Sequence, residues 1–229
     1  MMAVNLNDYK VDQIKKEVCH EWLIDKHYAG RLCIITYAFG IMDANNKLEG
    51  VITFGYPPNK SYNNGECLFH EARITTLELN RLVINSTMPK NTASWFISRA
   101  IKMLPKPMAL VSYADSNYNH HGYVYQATNW LYTGESNTKY RYTFEDGSTF
   151  DIHRGIDKKG KVVSKEKIKP TLRYIFIHAG KRQRQKLIKY MKWELVPYPK
   201  GVNVNYECKD IDYVERQMTF FDIFDEFKG

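Results

Sequence analysis

The polar residues with the clearest chemical potential follow a short apolar run. Residues 109–111 are apolar, and Ser112, Tyr113 and Asp115 come directly after them. Because strand ends face the ligand crevice in open α/β folds, Asp115 is a candidate general base or metal ligand. The same carboxylate would also suit a turn or a cap, since a run of Ser and Asn side chains follows it.

Two histidines and one carboxylate form a common ligand set of non-haem iron(II). The chain has His27 far upstream of Asp115, and His120 and His121 shortly after it. His27, Asp115 and His121 are therefore a candidate iron site. The sequence spacing gives this set little support, and a hydrogen-bonded polar role explains each histidine without a metal.

Arg81 lies in a predicted strand and shares one face with the apolar residues of 77–83. A charge among apolar neighbours must be paired or lie at an irregularity of the strand. A guanidinium in such a place could hold a phosphate or carboxylate through two hydrogen bonds. A structural ion pair with Glu78 or Asp115 is the alternative.

The net charge of +8 is concentrated in one stretch of the chain. Residues 158–192 contain thirteen Lys or Arg and one Glu, a net +12, so the remaining residues sum to −4. Such clustering is a common footprint of nucleic-acid binding, and a solvated basic helix is the alternative. The predicted DNA-contacting residues on a helix over 181–192 are Lys181, Arg182, Arg184 and Lys186.

Hydrophobic periodicity predicts the elements that position these residues. The predicted helices cover residues 9–22, 93–104, 121–131 and 181–192, with Thr92 as the N-cap of the second. The predicted strands cover residues 32–39, 48–54, 75–84, 109–113, 140–144, 149–153 and 172–178. Two hairpins are predicted, one that pairs 32–39 with 48–54 and one that pairs 140–144 with 149–153. In the strand over 75–84 the apolar alternation changes face near Asn80 and Arg81, which indicates a bulge. This order predicts an α/β fold of the α+β kind, with a mostly antiparallel central sheet flanked by helices.

The 229 residues are enough for one large domain. We expect a catalytic domain over residues 1–205, which includes the basic segment 158–192, and a C-terminal tail over 206–229. The first residues contain no apolar signal-peptide core, and no apolar run is long enough to span a membrane. The four cysteines show no paired spacing, so we expect no disulfide framework, no zinc site and a reduced, cytoplasmic setting.

Motifs within residues 77–134 resemble the Mom family of Mu-type phages. The most specific blocks are Ser-Tyr-Ala-Asp at 112–115 and Tyr-Gln-Ala-Thr-Asn-Trp at 125–130. Further matches are Glu-Leu-Asn-Arg-Leu-Val-Ile at 78–84, Asn-Thr-Ala-Ser at 91–94, His-Tyr-Ala-Gly-Arg at 27–31 and Tyr-Pro-Lys at 198–200. The resemblance extends over residues 20–200.

The resemblance implies a fold related to the GNAT N-acyltransferases. It also implies an enzyme that converts adenine in duplex DNA to N6-carbamoylmethyladenine, which protects phage DNA from host restriction, and it adds iron as a suggested cofactor. On this basis Asp115 would act on the adenine amine. The expected catalytic set is His27, Tyr28, Arg81, Ser112, Tyr113 and Asp115.

An enzyme that acts on a base within a duplex must flip that base out of the stack. Tyr28, Tyr113 and Tyr125 are candidates to stack on the flipped base, which contributes about 1–3 kcal/mol per base. Tyr125 also suits packing of its own helix. Asn129 could read the edge of adenine, and it could equally cap the end of a helix.

The group donor is not fixed by the sequence. In the acyltransferase fold the donor phosphates bind at the N-terminus of the helix that follows a bulged strand. The corresponding residues 85–92 contain no glycine, so close backbone approach to a pyrophosphate is harder, which disfavours acetyl-CoA. The candidate donors are an acyl-CoA and an aminoacyl-tRNA, and the basic segment would suit binding of a tRNA.

Two other functions are compatible with parts of the sequence. An N-acyltransferase acting on a protein or a small amine would share the fold, but the missing glycines argue against it. A non-enzymatic nucleic-acid-binding module would explain the basic segment and leave the two specific blocks unexplained.

In the tail, Gln217–Phe221 matches a short peptide motif that docks on the bacterial sliding clamp, although the phenylalanines there also recur at helical spacing.

Overall fold

The computed structural model describes residues 5–58, 62, 65, 68–70, 72–137, 139–152 and 161–201. A seven-stranded sheet with the strand order β1-β2-β3-β4-β5-β10-β6 forms its centre. Its strands are β1 (Lys10–Gln13), β2 (Tyr37–Met42), β3 (Leu48–Gly55), β4 (Thr76–Ile84), β5 (Met108–Asp115), β6 (Leu131–Glu135) and β10 (Thr171–His178). Every neighbouring pair is antiparallel except β4 and β5. The predicted α/β fold with a mostly antiparallel sheet flanked by helices is confirmed.

A second sheet is inserted between two strands of the first. It has the strand order β8-β7-β9, and its members lie between β6 and β10 in the chain. They are β7 (Lys139–Phe144), β8 (Thr149–Ile152) and β9 (Val162–Ile168). The predicted hairpin of β7 and β8 is confirmed, whereas β9 occupies part of a stretch in which no strand was predicted. The high lysine content of β9 hides its extended conformation, because an exposed edge strand needs no apolar alternation.

The helices cover both faces of the central sheet. Helix α2 (Thr92–Met103) buries Phe96, Ile97, Ala100 and Ile101 against alternate residues of the strands, with helix α3 (Tyr123–Ala127) nearby. The opposite set of alternate residues is covered by the helical segment 16–26, which contains helix α1 (Cys19–Glu21), and by helix α4 (Lys181–Lys189). In the described part of the chain, no helix has the length and apolar character needed to cross a membrane.

The parallel pair β4 and β5 separates partway along its length. The two strands are paired from Thr76 with Ala109 to Glu78 with Val111, although both continue beyond that point. A bulge bends β4 here, because Thr53 of β3 pairs with Arg81 and the next residue of β3 pairs with Leu79. The predicted bulge is confirmed, and it opens a cleft between the ends of β4 and β5.

Three predicted helix boundaries are wrong. The helix predicted over 9–22 is replaced at its start by strand β1, because pairing of Lys10–Gln13 with β2 satisfies the backbone there. The helix predicted over 121–131 ends at Ala127, where Asn129 adopts a left-handed conformation and residues 131–135 join the sheet. Thr92 is the first residue of α2 and not its cap, since Asn91 precedes it with φ 71°.

The remaining differences are at element ends. The first predicted hairpin strand begins at Tyr37 and not at residue 32, and α4 ends at Lys189. The residues of the tail over 206–229, including the clamp-like Gln217–Phe221, lie outside the described residues. The domain boundaries and the clamp motif therefore stay predictions.

Candidate active site

The cleft between β4 and β5 brings together side chains from distant parts of the chain. Glu78 and Arg81 come from β4, and Asp115 comes from the end of β5. His27 and Tyr28 belong to the loop that follows the helical segment 16–26. The electrostatic influence of Arg81 on both His27 and Tyr28, and of Asp115 on Tyr28, places these predicted residues in one cluster.

The loop at 27–31 is held in a fixed shape by hydrogen bonds. Gly30 N donates to His27 O at 2.9 Å, and Ala29 N donates to His27 Nδ1 at 3.0 Å. Burial, together with the nearby charges of Arg81 and His120, lowers the pKa of His27 to about 3. The ring is therefore neutral at physiological pH, and because Nδ1 accepts a hydrogen bond, the proton lies on Nε2.

Tyr28 is surrounded by aromatic rings. Its ring centroid lies 4.3 Å from that of His27, 4.6 Å from that of Tyr118 and 5.6 Å from that of His120. Burial and then the nearby Asp115 carboxylate raise the pKa of its hydroxyl, so the phenol stays protonated. Such a cluster offers flat faces for a planar ligand.

Glu78 also lies in the cleft. The sequence predicted it only as a possible ion-pair partner of Arg81 and gave it no role in catalysis. Burial raises the pKa of its carboxyl to about 7, against the opposing influence of Arg81 and Lys139. A carboxyl group that titrates near neutral pH suits general acid–base chemistry. The available signal was a charged residue between two leucines of a predicted strand.

Arg81 has an incomplete set of partners. Its Nη1 donates to Asn80 O at 2.6 Å, while its buried Nε has no hydrogen-bond partner. Neither Glu78 nor Asp115 forms a direct ion pair with it within the described part of the chain. A buried donor without a partner costs about 1–3 kcal/mol, which an anionic ligand group in the cleft would offset.

Asp115 has the capping role that was the alternative to general-base chemistry. Its Oδ1 accepts hydrogen bonds from Asn117 N at 3.0 Å and Asn117 Nδ2 at 2.8 Å, so it caps a short helical turn. Burial raises the pKa of Tyr28, and the Asp115 charge adds to this; burial lowers the pKa values of His120 and Lys139, and the Asp115 charge opposes that shift. The turn is therefore what holds the carboxylate at the mouth of the cleft.

Ser112 and Tyr125 lie at the floor of the cleft. The Ser112 hydroxyl donates to Leu79 O at 2.8 Å, which links β5 to β4 after their pairing has ended. Its oxygen also lies 2.8 Å from the Tyr125 hydroxyl, while the Tyr125 ring packs on Trp130 and Tyr174, both at 5.1 Å between centroids. The Tyr125 ring is therefore used for packing, which was the alternative to base stacking, and only its hydroxyl reaches the cleft.

Tyr113 points to the other face of β5. Its hydroxyl lies 3.4 Å from that of Tyr62, and the Tyr62 ring stacks on Trp193 at 6.3 Å between centroids. The guanidinium of Arg173 lies 3.9 Å from the Trp193 ring. Burial raises the pKa of Tyr113, and the Glu78 carboxylate raises it further, which places this aromatic wall beside Glu78.

Lys139 is a second residue that the sequence did not predict. It begins β7 of the inserted sheet, and its Nζ lies 3.5 Å from Thr171 Oγ1. Burial lowers its pKa, while Asp115, Asp151 and Glu78 raise it. The inserted sheet therefore contributes a cation to the cleft.

Several predicted residues do not join the cluster. Asn129 is exposed and ends α3, since Trp130 N donates to Tyr125 O at 3.0 Å and Asn129 N donates to Gln126 O at 3.1 Å. This is a Schellman cap, so the structural alternative for Asn129 is confirmed. The basic residues Lys181, Arg182, Arg184 and Lys186 lie on α4.

The predicted iron ligands do not form a metal-binding group. The ring of His121 contacts Tyr123 and lies against Gly201, away from His27. Among the residues that the structure describes, no three His, Cys, Asp or Glu side chains are arranged to hold a metal ion. The residues of this cleft therefore do not fit the iron that the resemblance suggested.

Comparisons with known proteins agree with the motifs. Methylcarbamoylase mom of Escherichia phage Mu is 26% identical over 213 residues, which cover 84% of this chain and 86% of that protein. Among solved structures, spermidine/spermine N-acetyltransferase SpeG from Vibrio cholerae is similar, with a TM-score of 0.44, 10% identity and coverage of 79% of this chain and 98% of that one. A GNAT-family acetyltransferase from Bacillus cereus has a TM-score of 0.39 and 10% identity, with coverage of 74% and 96%.

The family assignment rests on most of the chain. The model of the Mom protein family matches residues 8–200. That range contains the cleft, the loop at 27–31 and the inserted sheet. This chain belongs to the Mom protein family.

Proposed function

We propose that this chain is a DNA-modifying transferase that converts adenine in DNA to N6-carbamoylmethyladenine and so protects phage DNA from restriction in the host cytoplasm. The family assignment and the similarity to a methylcarbamoylase support this function. The structural observation that carries it is the buried Glu78 carboxyl, with a pKa of about 7, beside the unpartnered Nε of Arg81.

The reaction needs an acceptor for one proton. The exocyclic N6 amine of adenine forms a bond to the methylene carbon of the carbamoylmethyl group and gives up one proton, while the bond from that carbon to its leaving group breaks and the leaving group departs with the electron pair. A carboxylate whose pKa is near 7 can accept this proton and release it again at neutral pH. We assign that role to Glu78, while Asp115, the base expected from sequence, favours the charged forms of His120 and Lys139.

The flipped base would lie against the aromatic cluster around Tyr28. Extrusion of a base costs a few kcal/mol, and stacking offsets about 1–3 kcal/mol of that cost. The neutral His27, whose Nε2 carries the proton, can donate one hydrogen bond to an acceptor nitrogen of the base.

The donor would bind through its anionic groups. Arg81 offers its free Nε, and the first turn of α2 has no side-chain cap that would occupy its amides. An acyl-CoA and an aminoacyl-tRNA both carry phosphates that such groups bind, but direct attack on the acyl carbon of either would give an N6-acyl adenine, so the carbamoylmethyl product requires a donor with its leaving group on the methylene carbon. Thermal-shift titration with each donor class would separate the two.

The test is a nucleoside analysis of DNA from cells that express the protein. The wild-type chain should yield a new deoxyadenosine derivative by mass spectrometry, and Glu78→Gln should abolish it while the protein stays folded. Glu17→Gln is the matched control, because Glu17 is exposed and pairs only with Lys16 in the described chain. Unmodified DNA from soluble wild-type protein, with any required phage partner supplied, would refute the proposal.

A further inference from the structure

The inserted sheet is attached at the end of the central sheet that carries the cleft. Asp115 pairs with Thr171, the first residue of β10 after the insert. Asn117 donates from Nδ2 to Lys169 O at 3.1 Å and accepts from Lys169 N at 3.0 Å. Together with the approach of Lys139 to Thr171, these bonds fix the insert beside the candidate active site.

Strand β9 is the exposed, basic edge of this insert. It pairs with β7, no second partner strand is found among the residues that the structure describes, and its residues from Val162 to Lys167 are exposed. Lys161 pairs with Glu145 at 2.9 Å, and the one acidic residue of the strand, Glu166, lies 4.0 Å from Arg141.

Two lysines of β9 keep their charges available. Lys165 lies over the rings of Tyr140 and Tyr142, at 4.5 and 5.4 Å from their centroids. Within the described ranges, neither Lys165 nor Lys167 has a carboxylate at ion-pair distance. Residues two apart in a strand share a face, so both charges project from the same side, and Lys169 continues the series towards the cleft.

The other basic element begins at the opposite end of the sheet. Strand β10 starts opposite Asp115 and ends with His178 opposite Met108, a span of about 23 Å at roughly 3.3 Å per residue. Helix α4 starts three residues later, at Lys181. The insert and not the start of α4 is therefore adjacent to the reacting base.

We propose that the β9 edge, through Lys165 and Lys167, and the adjoining Lys169 bind the DNA phosphate backbone next to the target adenine. This inference rests on the proposed function, because it takes DNA as the substrate. Lysine ammonium groups pair with phosphates, and the unpaired N–H groups of an edge strand offer further donors. Backbone contacts of this kind position the duplex without reading its sequence.

The experiment measures duplex binding by fluorescence anisotropy at several salt concentrations. Lys165→Ala/Lys167→Ala should weaken binding several-fold on every sequence and lower the slope of log K against log salt by up to about 1.8, or 0.9 per lost phosphate contact. The same variant should show a raised KM for DNA with kcat retained. Lys102→Ala/Lys106→Ala is the matched control, because both lysines are exposed and lie near the Met108 end of the sheet.

The outcomes separate the two proposals. If the wild-type chain modifies DNA and the β9 variant binds with unchanged affinity and salt slope, the inference is wrong and the proposed function stands. If that variant instead self-associates with unchanged DNA binding, the lysines serve to protect an edge strand from pairing, and the inference is again overturned. If the wild-type chain neither binds nor modifies DNA, it is the proposed function that fails.

Discussion

At the scale of single residues, the protonation state of Glu78 decides the pH dependence of the reaction. The carboxylate form must accept the proton, so kcat/KM should rise with pH through about 7 and then level. His27 cannot produce this limb, because its pKa of about 3 leaves it neutral throughout. Glu78→Gln should remove both the activity and the limb, whereas a profile without a step near pH 7 would exclude Glu78 as the base.

Burial of Glu78 also makes a prediction for stability. A carboxyl whose pKa is raised in the folded state favours folding fully below its ordinary value near 4.5, and this contribution is lost as pH rises through about 7. Relative to wild type, Glu78→Gln should therefore gain about 3 kcal/mol of unfolding free energy between pH 4.5 and pH 8. Denaturant titrations of both proteins at these two pH values would measure the difference, and a constant difference would contradict it.

At the scale of elements, the sequence predicts those strands and hairpins that have an apolar alternation or a turn motif of their own. The bulge near Asn80 is visible as a change of face, and it proves to open the cleft. The position of Asp115 at a strand end was also predictable. What could not be predicted depends on tertiary pairing: β1 pairs through its backbone whatever its side chains, and β9 is an edge strand without an apolar face.

The same limit applies to the members of the site. Ser112, Tyr113 and Asp115 are adjacent in sequence, so one motif found all three. Glu78 and Lys139 enter the cleft only because β4 and β5 separate and the insert folds back, and no local pattern contains that information.

The role of helix α4 is a prediction at this scale. A distance of about 23 Å corresponds to about seven base pairs at roughly 3.4 Å each. Changing Lys181, Arg182 and Arg184 to Ala should therefore weaken binding of a duplex of about 30 base pairs, uniformly across sequences. With a duplex of about 12 base pairs centred on the target adenine, the same change should have little effect. An equal loss on both duplexes would place α4 next to the reacting base.

At the scale of the whole molecule, the chain consists of a central layer that builds the cleft and an insert that adds positive charge to its rim. The buried apolar residues of the insert include Tyr142, Phe144 and Ile168, and none of them belongs to the three apolar clusters of the central sheet. The neck of the insert is closed by Ser136 N donating to Thr171 O at 2.7 Å and Thr171 N donating to Ser136 Oγ at 3.0 Å. The two layers are therefore separable in principle.

Replacing residues 139–168 by an Asn-Gly turn tests this division of roles. The turn suits a two-residue hairpin, and the Ser136–Thr171 bonds would still align its ends. We expect the shortened chain to unfold in one cooperative transition, because the three clusters of the central sheet are untouched. Without Lys139, Lys165 and Lys167, it should lose most DNA affinity and all modification of DNA. Circular dichroism melts and the anisotropy assay would measure both properties. Loss of cooperative unfolding would show that the insert is part of the core, and retained DNA binding would show that the central layer alone holds the duplex.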